Sequence, residues 1–142
     1  MEHLLEVKNL SVSIDGPAGE VQAVRDVSFS LKKGEVLAIV GESGCGKSVL
    51  CKSIMKLLPP SAKIKEGSIC VNGQDITCYR EKEMQKLRGR VFSMIFQDPM
   101  TSLNPTIKIG KQIGEAVVIH NKNYTKEQVK DRKSTRLNSS HP

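Results

Sequence analysis

A chain of 142 residues, 38% hydrophobic and 26% charged, is long enough for one domain with a true core. Its net charge of +7 is spread along the chain, and aromatic residues do not interleave with the basic ones, which argues against a nucleic-acid partner. No apolar run approaches the length of a membrane span, and the four cysteines, Cys45, Cys51, Cys70 and Cys78, form no C-x-x-C pair, as expected of scattered thiols in a reduced cytosol.

The first ten residues, MEHLLEVKNL, carry neither a basic leader nor an apolar signal core and already look like a strand. Leu4 to Ile14 alternates in part and predicts one or two short strands. Asp15 to Gly19 has the composition of a turn, and Val21 to Leu31 alternates again. An antiparallel, half-buried sheet is therefore expected ahead of Lys32-Lys33-Gly34-Glu35, a turn into the apolar run Val36 to Val40. That run is predicted to be a buried strand, and a helix is predicted over Ser48 to Leu58, stopped by Pro59-Pro60.

Between those two elements lies Gly41-Glu42-Ser43-Gly44-Cys45-Gly46-Lys47-Ser48, which fits G-x-x-x-x-G-K-[S/T] at every fixed position. Strand, glycine loop and helix together make this pattern a mechanism. The glycines let consecutive N–H groups turn toward a phosphate, and the helix start adds partial positive charge. Lys47 is placed to reach the β- and γ-phosphates of a nucleoside triphosphate, and the Ser48 hydroxyl to ligate Mg²⁺. An ordinary glycine-rich turn is the bland alternative, and the flanking elements weigh against it.

Further along, Ile64 to Asn72 predicts a strand closed by the turn signal Asn72-Gly73. Glu81 to Arg88 predicts a short charged helix, and Val91 to Phe96 a second apolar strand ending at Gln97. Asp98-Pro99 and Asn104-Pro105 are expected to turn. Helical spacing resumes over Ile109 to Val118, and again over Lys126 to Lys130.

These residues also carry a family resemblance. SFSLKKGEVLAIVGESGCGKSV resembles the start of the ATP-binding subunit of an ABC transporter, and VFSMIFQDPMTSLNPTIKIGKQIGE is similar to that family's glutamine loop. DPMTSLNP after Gln97, together with Val49 where most of the superfamily has threonine, resembles the oligopeptide, dipeptide and nickel importer branch. The resemblance covers residues 4–125. It implies an α/β fold of the P-loop NTPase class, ABC-ATPase type: an N-terminal antiparallel portion, an incomplete RecA-like core and the start of a helical subdomain. It also implies ATP and Mg²⁺ as cofactors, with Gly41 to Val49 holding the nucleotide. Gln97 would touch the metal and the attacking water.

Partners implied in the same way are transmembrane permease subunits, a second ABC ATPase subunit and, indirectly, an extracytoplasmic substrate-binding protein. The place implied is the cytoplasmic face of the inner membrane, with Asp98 to Pro105 lying against the permease. Where many members stack an aromatic residue on adenine, alignment on LSVSI puts Ile14, which covers a base by apolar contact alone. Cys45 stands where serine is usual. Its thiol is expected to be acidified by Lys47 and a helix start.

The family's signature loop, its Asp-Glu strand end and its switch histidine have no counterpart in this sequence; His3, His120 and His141 lie in other contexts. The competing expectation is a non-transport ABC-type ATPase acting on DNA or the ribosome, against which DPMTSLNP weighs. A small P-loop kinase fits less well, because the antiparallel strand pattern precedes the loop. Residues 131–141, DRKSTRLNSSH, reproduce word for word the translation of a common sequencing-library adapter. Residues 1–130 are therefore expected to be a partial nucleotide-binding domain, and 131–142 an artefactual tail without structure.

Overall fold

The computed structural model describes residues 3–44, 46–97, 103–121 and 123–139, the last six of these as backbone only. It divides into two compact units, one through Gln85 and one from Lys86 onward.

The first unit is built on a four-stranded antiparallel sheet in the order β2-β1-β3-β4. Strand β1 (His3–Gly16) is central and pairs with β2 (Gly19–Lys32) and β3 (Ala62–Val71). It accordingly supplies Val7, Leu10 and Val12 to the core, all at most 1% exposed. Val7 and Leu10 lie three apart, which strict alternation forbids. A bulge resolves this: Asn9 takes φ 47°, and the register against both neighbours shifts there. Asp26 on β2 has the same φ, and Gly67 on β3 has φ 93°, so the irregularity crosses three strands. Side chains fix it. Asn9 Nδ2 donates to Asp26 Oδ1 at 2.8 Å, Asn9 N to Ser28 Oγ at 2.8 Å, and Asp26 N to Ser11 Oγ at 3.0 Å.

Asn72 and Gly73, both at positive φ, turn β3 into the short β4 (Gln74–Asp75). Helix α1 (Lys47–Ile54) packs on β1 and β2, burying Leu50, and Met55 is buried just past its end. It stops short of the expected Leu58 because Lys56 turns left-handed at φ 51° and Leu57 N reaches back to Lys52 O at 2.9 Å. Helix α2 (Glu81–Leu87) adds the fully buried Met84.

The second unit holds α3 (Ile109–His120) and α4 (Lys126–Ser139), packed as a pair with Gly114 at their contact; Val117 of α3 is buried. A Cβ at Gly114 would fall 3.5 Å from Val129 Cγ1 and closer still to the aliphatic end of Lys133.

Three expectations need correction. Residues 36–40 form no strand; they run through the structure unpaired, with Val36 97% and Val40 87% exposed. Residues 91–96 likewise form no ladder beyond one bridge, Arg88 with Phe92, and Ile95 is 99% exposed. A run apolar on both faces belongs to a sheet interior and needs neighbours on each edge; no described strand supplies them. Thirdly, the backbone is helical to Ser139, where residues from 131 were expected to lack structure. A reciprocal box starts that helix. Thr125 N donates to Gln128 Oε1 at 2.9 Å, and Gln128 N to Thr125 Oγ1 at 3.3 Å.

Candidate functional site: a glycine loop at a helix start

Helix α1 begins directly on the glycine loop, and its first turn is left open. Gly46 is the N-cap, no side chain caps the helix, and no acidic residue stands in the first turn. The free N–H groups and the helix dipole therefore point toward whatever lies in the loop, which suits an anion.

Gly46 is required twice over. Its φ is 97°, and a Cβ there would sit 2.3 Å from Ala23 O on β2. That close approach ties the loop to the sheet, since only a residue without a side chain lets Gly46 lie against the β2 backbone. Gly44, at φ 82°, has open space around it and is needed for the turn alone.

Lys47 turns its ammonium back over the loop, donating to Gly41 O and, at 3.2 Å, to Glu42 O. A loop lysine beside an uncapped helix start is a combination that suits a phosphate. Ser48 is exposed, its side chain not committed to the core. Val49 is half-buried, and its carbonyl accepts from Ser53 Oγ at 2.6 Å, which locks the first turn. Gly41, Glu42 and Ser43 are exposed. Cys45 lies outside the described residues, so its expected acidity has no structural counterpart here.

Ile14 sits on β1 opposite Val21 of β2 and Ala62 of β3. It is half-buried, and Val21 is 60% exposed. Val21 lies two residues along β2 from Ala23, the residue that meets Gly46, so Ile14 and the loop share one end of the sheet. Gln97 belongs to the other unit, where it is exposed at the end of the unpaired run 91–96. Of the residues expected to lie against a partner, Asp98 to Ser102 fall outside the described set, and Leu103, Asn104 and Pro105 are exposed.

Two contributors escaped the sequence reading. Ala23 acts through its carbonyl, which no side-chain pattern reveals. Gln112 on α3 grips the turn at Asn104, although its spacing reads as an ordinary polar helix position.

The donor set fits a nucleotide with its metal: open helix N–H groups, a loop lysine and a hydroxyl at the first turn. Residues 24–141 match the family model described as ABC transporter. The chain is 57% identical to the oligopeptide transport ATP-binding protein OppD of Bacillus subtilis over 130 residues, 91% of this chain and 36% of that protein. It is 58% identical to the dipeptide transport ATP-binding protein DppD of the same organism over 123 residues, 86% of this chain and 37% of that one. The chain thus spans little more than a third of the length of these relatives.

Among solved structures, the ATP-binding cassette MJ0796, a dimer in a post-hydrolysis state with ADP and Pi, matches with a TM-score of 0.75 at 20% identity, covering 94% of this chain and 54% of that one. The cassette cbiO1 of Clostridium perfringens matches at 0.70 and 24% identity, covering 97% and 50%. This likeness shows the fold, the α/β P-loop class reached from the sequence. Since the family model extends over most of the chain, the chain belongs to the ABC transporter family.

Proposed function

We propose that this chain is the nucleotide-binding portion of the ATP-binding subunit of a peptide importer, with ATP and Mg²⁺ as cofactors. The carrying observation is the open start of α1 under Lys47, with Gly46 seated against Ala23 O. The names of the similar proteins, oligopeptide and dipeptide transport ATP-binding proteins, favour peptides over other cargo.

Within the site, Gly41 to Ser48 bind the phosphates and Ser48 ligates the metal. Lys47 exchanges its loop carbonyls for phosphate oxygens, and Ile14 covers one face of the base. When bound, Mg²⁺ neutralises phosphate charge and orients the terminal phosphoryl group. Gln97 orients the attacking water and reports nucleotide state to the helices that follow. In the whole protein, ATP hydrolysis drives import of oligopeptides or dipeptides. The subunit lies on the cytoplasmic face of the inner membrane, pairs with a second ATPase, and docks to permease subunits through Asp98 to Pro105. An extracytoplasmic binding protein delivers the peptide. The native domain sequence in this chain runs to Lys130.

The test is Lys47→Ala in the full-length protein, with ATP affinity read by titration calorimetry. Losing a charge-assisted contact costs about 1.5–3 kcal/mol, so affinity is expected to fall more than tenfold. Equal affinity in the two proteins would refute the nucleotide site.

A further inference from the structure

Helix α1 is eight residues long and is fastened at its two ends to opposite sides of the central strand. At its start Gly46 lies against Ala23 O on β2. At its finish the Lys56 ammonium donates to Tyr79 O at 2.7 Å. Tyr79 belongs to a connection bound to β3: Tyr79 N donates to Ile76 O at 3.1 Å, Ile76 N to Ile69 O at 2.9 Å, and Ile69 N to Thr77 Oγ1 at 2.9 Å. Because β2 and β3 flank β1, the two fastenings span the central strand.

Between its ends the helix is lightly held. It buries Leu50 and Ser53, and Ser53 Oγ donates to Val49 O of the same helix rather than to the sheet. The direction of α1 therefore depends on where its ends are fixed.

The backbone at Lys56 does not call for a lysine. Its φ of 51° is one that glycine takes without steric cost. The bonds that end the helix, Lys56 N to Ser53 O at 3.2 Å and Leu57 N to Lys52 O at 2.9 Å, are made by the main chain alone. What a side chain adds at this strained position is its reach to Tyr79 O. Lys56 is half-buried, and burial holds its pKa below the ordinary lysine value, against the raising influence of Cys78, Glu83 and Asp75. A donor partly withdrawn from water makes a firmer tether than an exposed one.

We infer that Lys56 is a positioning residue for the phosphate loop: by fixing the far end of α1 to Tyr79 O, it sets the direction in which the first-turn N–H groups and Lys47 meet a nucleotide. This rests on the nucleotide site proposed above. A helix released at that end pivots about Gly46, and its apparent affinity is scaled by the fraction of molecules correctly aimed. By reciprocity, a bound nucleotide holds the tether closed by the same factor.

The test uses full-length protein with Mg²⁺ and a hydrolysis-resistant ATP analogue. Lys56→Gly keeps the left-handed turn at less backbone cost and removes the tether. Calorimetry is expected to show affinity about 3- to 10-fold weaker, the span of a typical net hydrogen-bond contribution. The second readout needs no variant. Trace acetylation of the wild-type protein, mapped by peptide mass spectrometry, is expected to slow with the analogue at Lys47, which phosphate covers. At Lys56 it is expected to slow by at least about threefold, because the amine reacts when released from Tyr79 O. A lysine that served folding alone would not answer to nucleotide in this way.

Two outcomes overturn the inference and leave the nucleotide site standing: wild-type affinity in Lys56→Gly, or Lys56 acetylation indifferent to the analogue while Lys47 is protected. If Lys47 itself is unprotected, the nucleotide site falls, and this inference with it.

Discussion

Gly67→Ala probes the irregular row that crosses the sheet. At this position a Cβ would lie 2.5 Å from both Lys8 O and Asn9 O, and the backbone φ of 93° disfavours any L side chain. The blocking atoms are main-chain oxygens of the central strand, so they cannot swing aside as a side-chain end can. The conformational cost is about 1–2 kcal/mol, and forcing a methyl into a filled site adds about 1–3 kcal/mol. The matched control is Gly73→Ala, where φ is 79° but nothing lies within 4 Å of the new Cβ. It carries the conformational cost alone, so the difference between the two variants isolates the clash. Amide exchange along the β1–β3 ladder is the assay, because it reads local opening without requiring a single global transition. With about 1.4 kcal/mol per tenfold change, Gly67→Ala should speed ladder exchange at least about 30-fold, and by roughly 5- to 150-fold more than Gly73→Ala. Indistinguishable exchange in the two variants would refute the claim that the close approach of β1 and β3 requires a glycine.

Ile14→Tyr should tighten binding of ATP over a base-free triphosphate, by up to about 1–3 kcal/mol if the ring stacks on the base; no gain by competition titration would place Ile14 in the sheet core. The Asp75 carboxyl is held below its ordinary value by hydrogen bonds from the Thr77 hydroxyl and backbone N–H. A depressed folded-state carboxyl contributes stability that is present above its unfolded value and lost as pH falls through the folded one. Thr77→Val should therefore move the Asp75 titration, followed by carbon-13 NMR, back up toward 3.8, the ordinary value, and an unchanged midpoint would contradict the assigned cause. Because Val36 and Ile95 are almost fully exposed, this 142-residue chain should bind a hydrophobic dye and self-associate, and Val36→Lys with Ile95→Lys should suppress both. A dye-silent monomer in analytical ultracentrifugation would show that these runs are covered in solution.

The parts of the fold legible in the sequence are those whose signals are local. The pair β1–β2 announces itself by alternation on both sides of a turn, and Asn72-Gly73 by a dipeptide that accepts positive φ at both positions. Their exact parity was hidden, because the shift at Asn9 depends on partners on β2 and β3 rather than on neighbours in the chain. The early stop of α1 was hidden for a related reason. Lys56 adopts a conformation usually left to glycine, and its ammonium donates to Tyr79 O at 2.7 Å, a contact formed across the fold. The helix through Ser139 was missed because the segment was read as foreign to the domain, whereas Thr125 and Gln128 meet a capping pattern that the sequence displays.

The same distinction separates the two halves of the candidate site. A phosphate loop is nearly self-sufficient: its glycines permit the turn, the helix that follows supplies N–H groups, and a single approach to Ala23 O anchors it. The spacing of Gly41, Gly46, Lys47 and Ser48 therefore specifies most of its geometry before any tertiary packing is known. Gln97 has no such local support. Its position depends on the run 91–96 being set in a sheet, and a run apolar on both faces gains its order from neighbouring strands rather than from its own alternation. The structure follows this logic. Helix α1 starts at Lys47 on the glycine loop although residues 36–40, which lead into the loop, are unpaired, whereas Gln97 is exposed at the end of an unpaired segment. Residues whose chemistry is carried by backbone geometry can thus be assigned from a pattern alone; those that act by being aimed require the sheet that aims them.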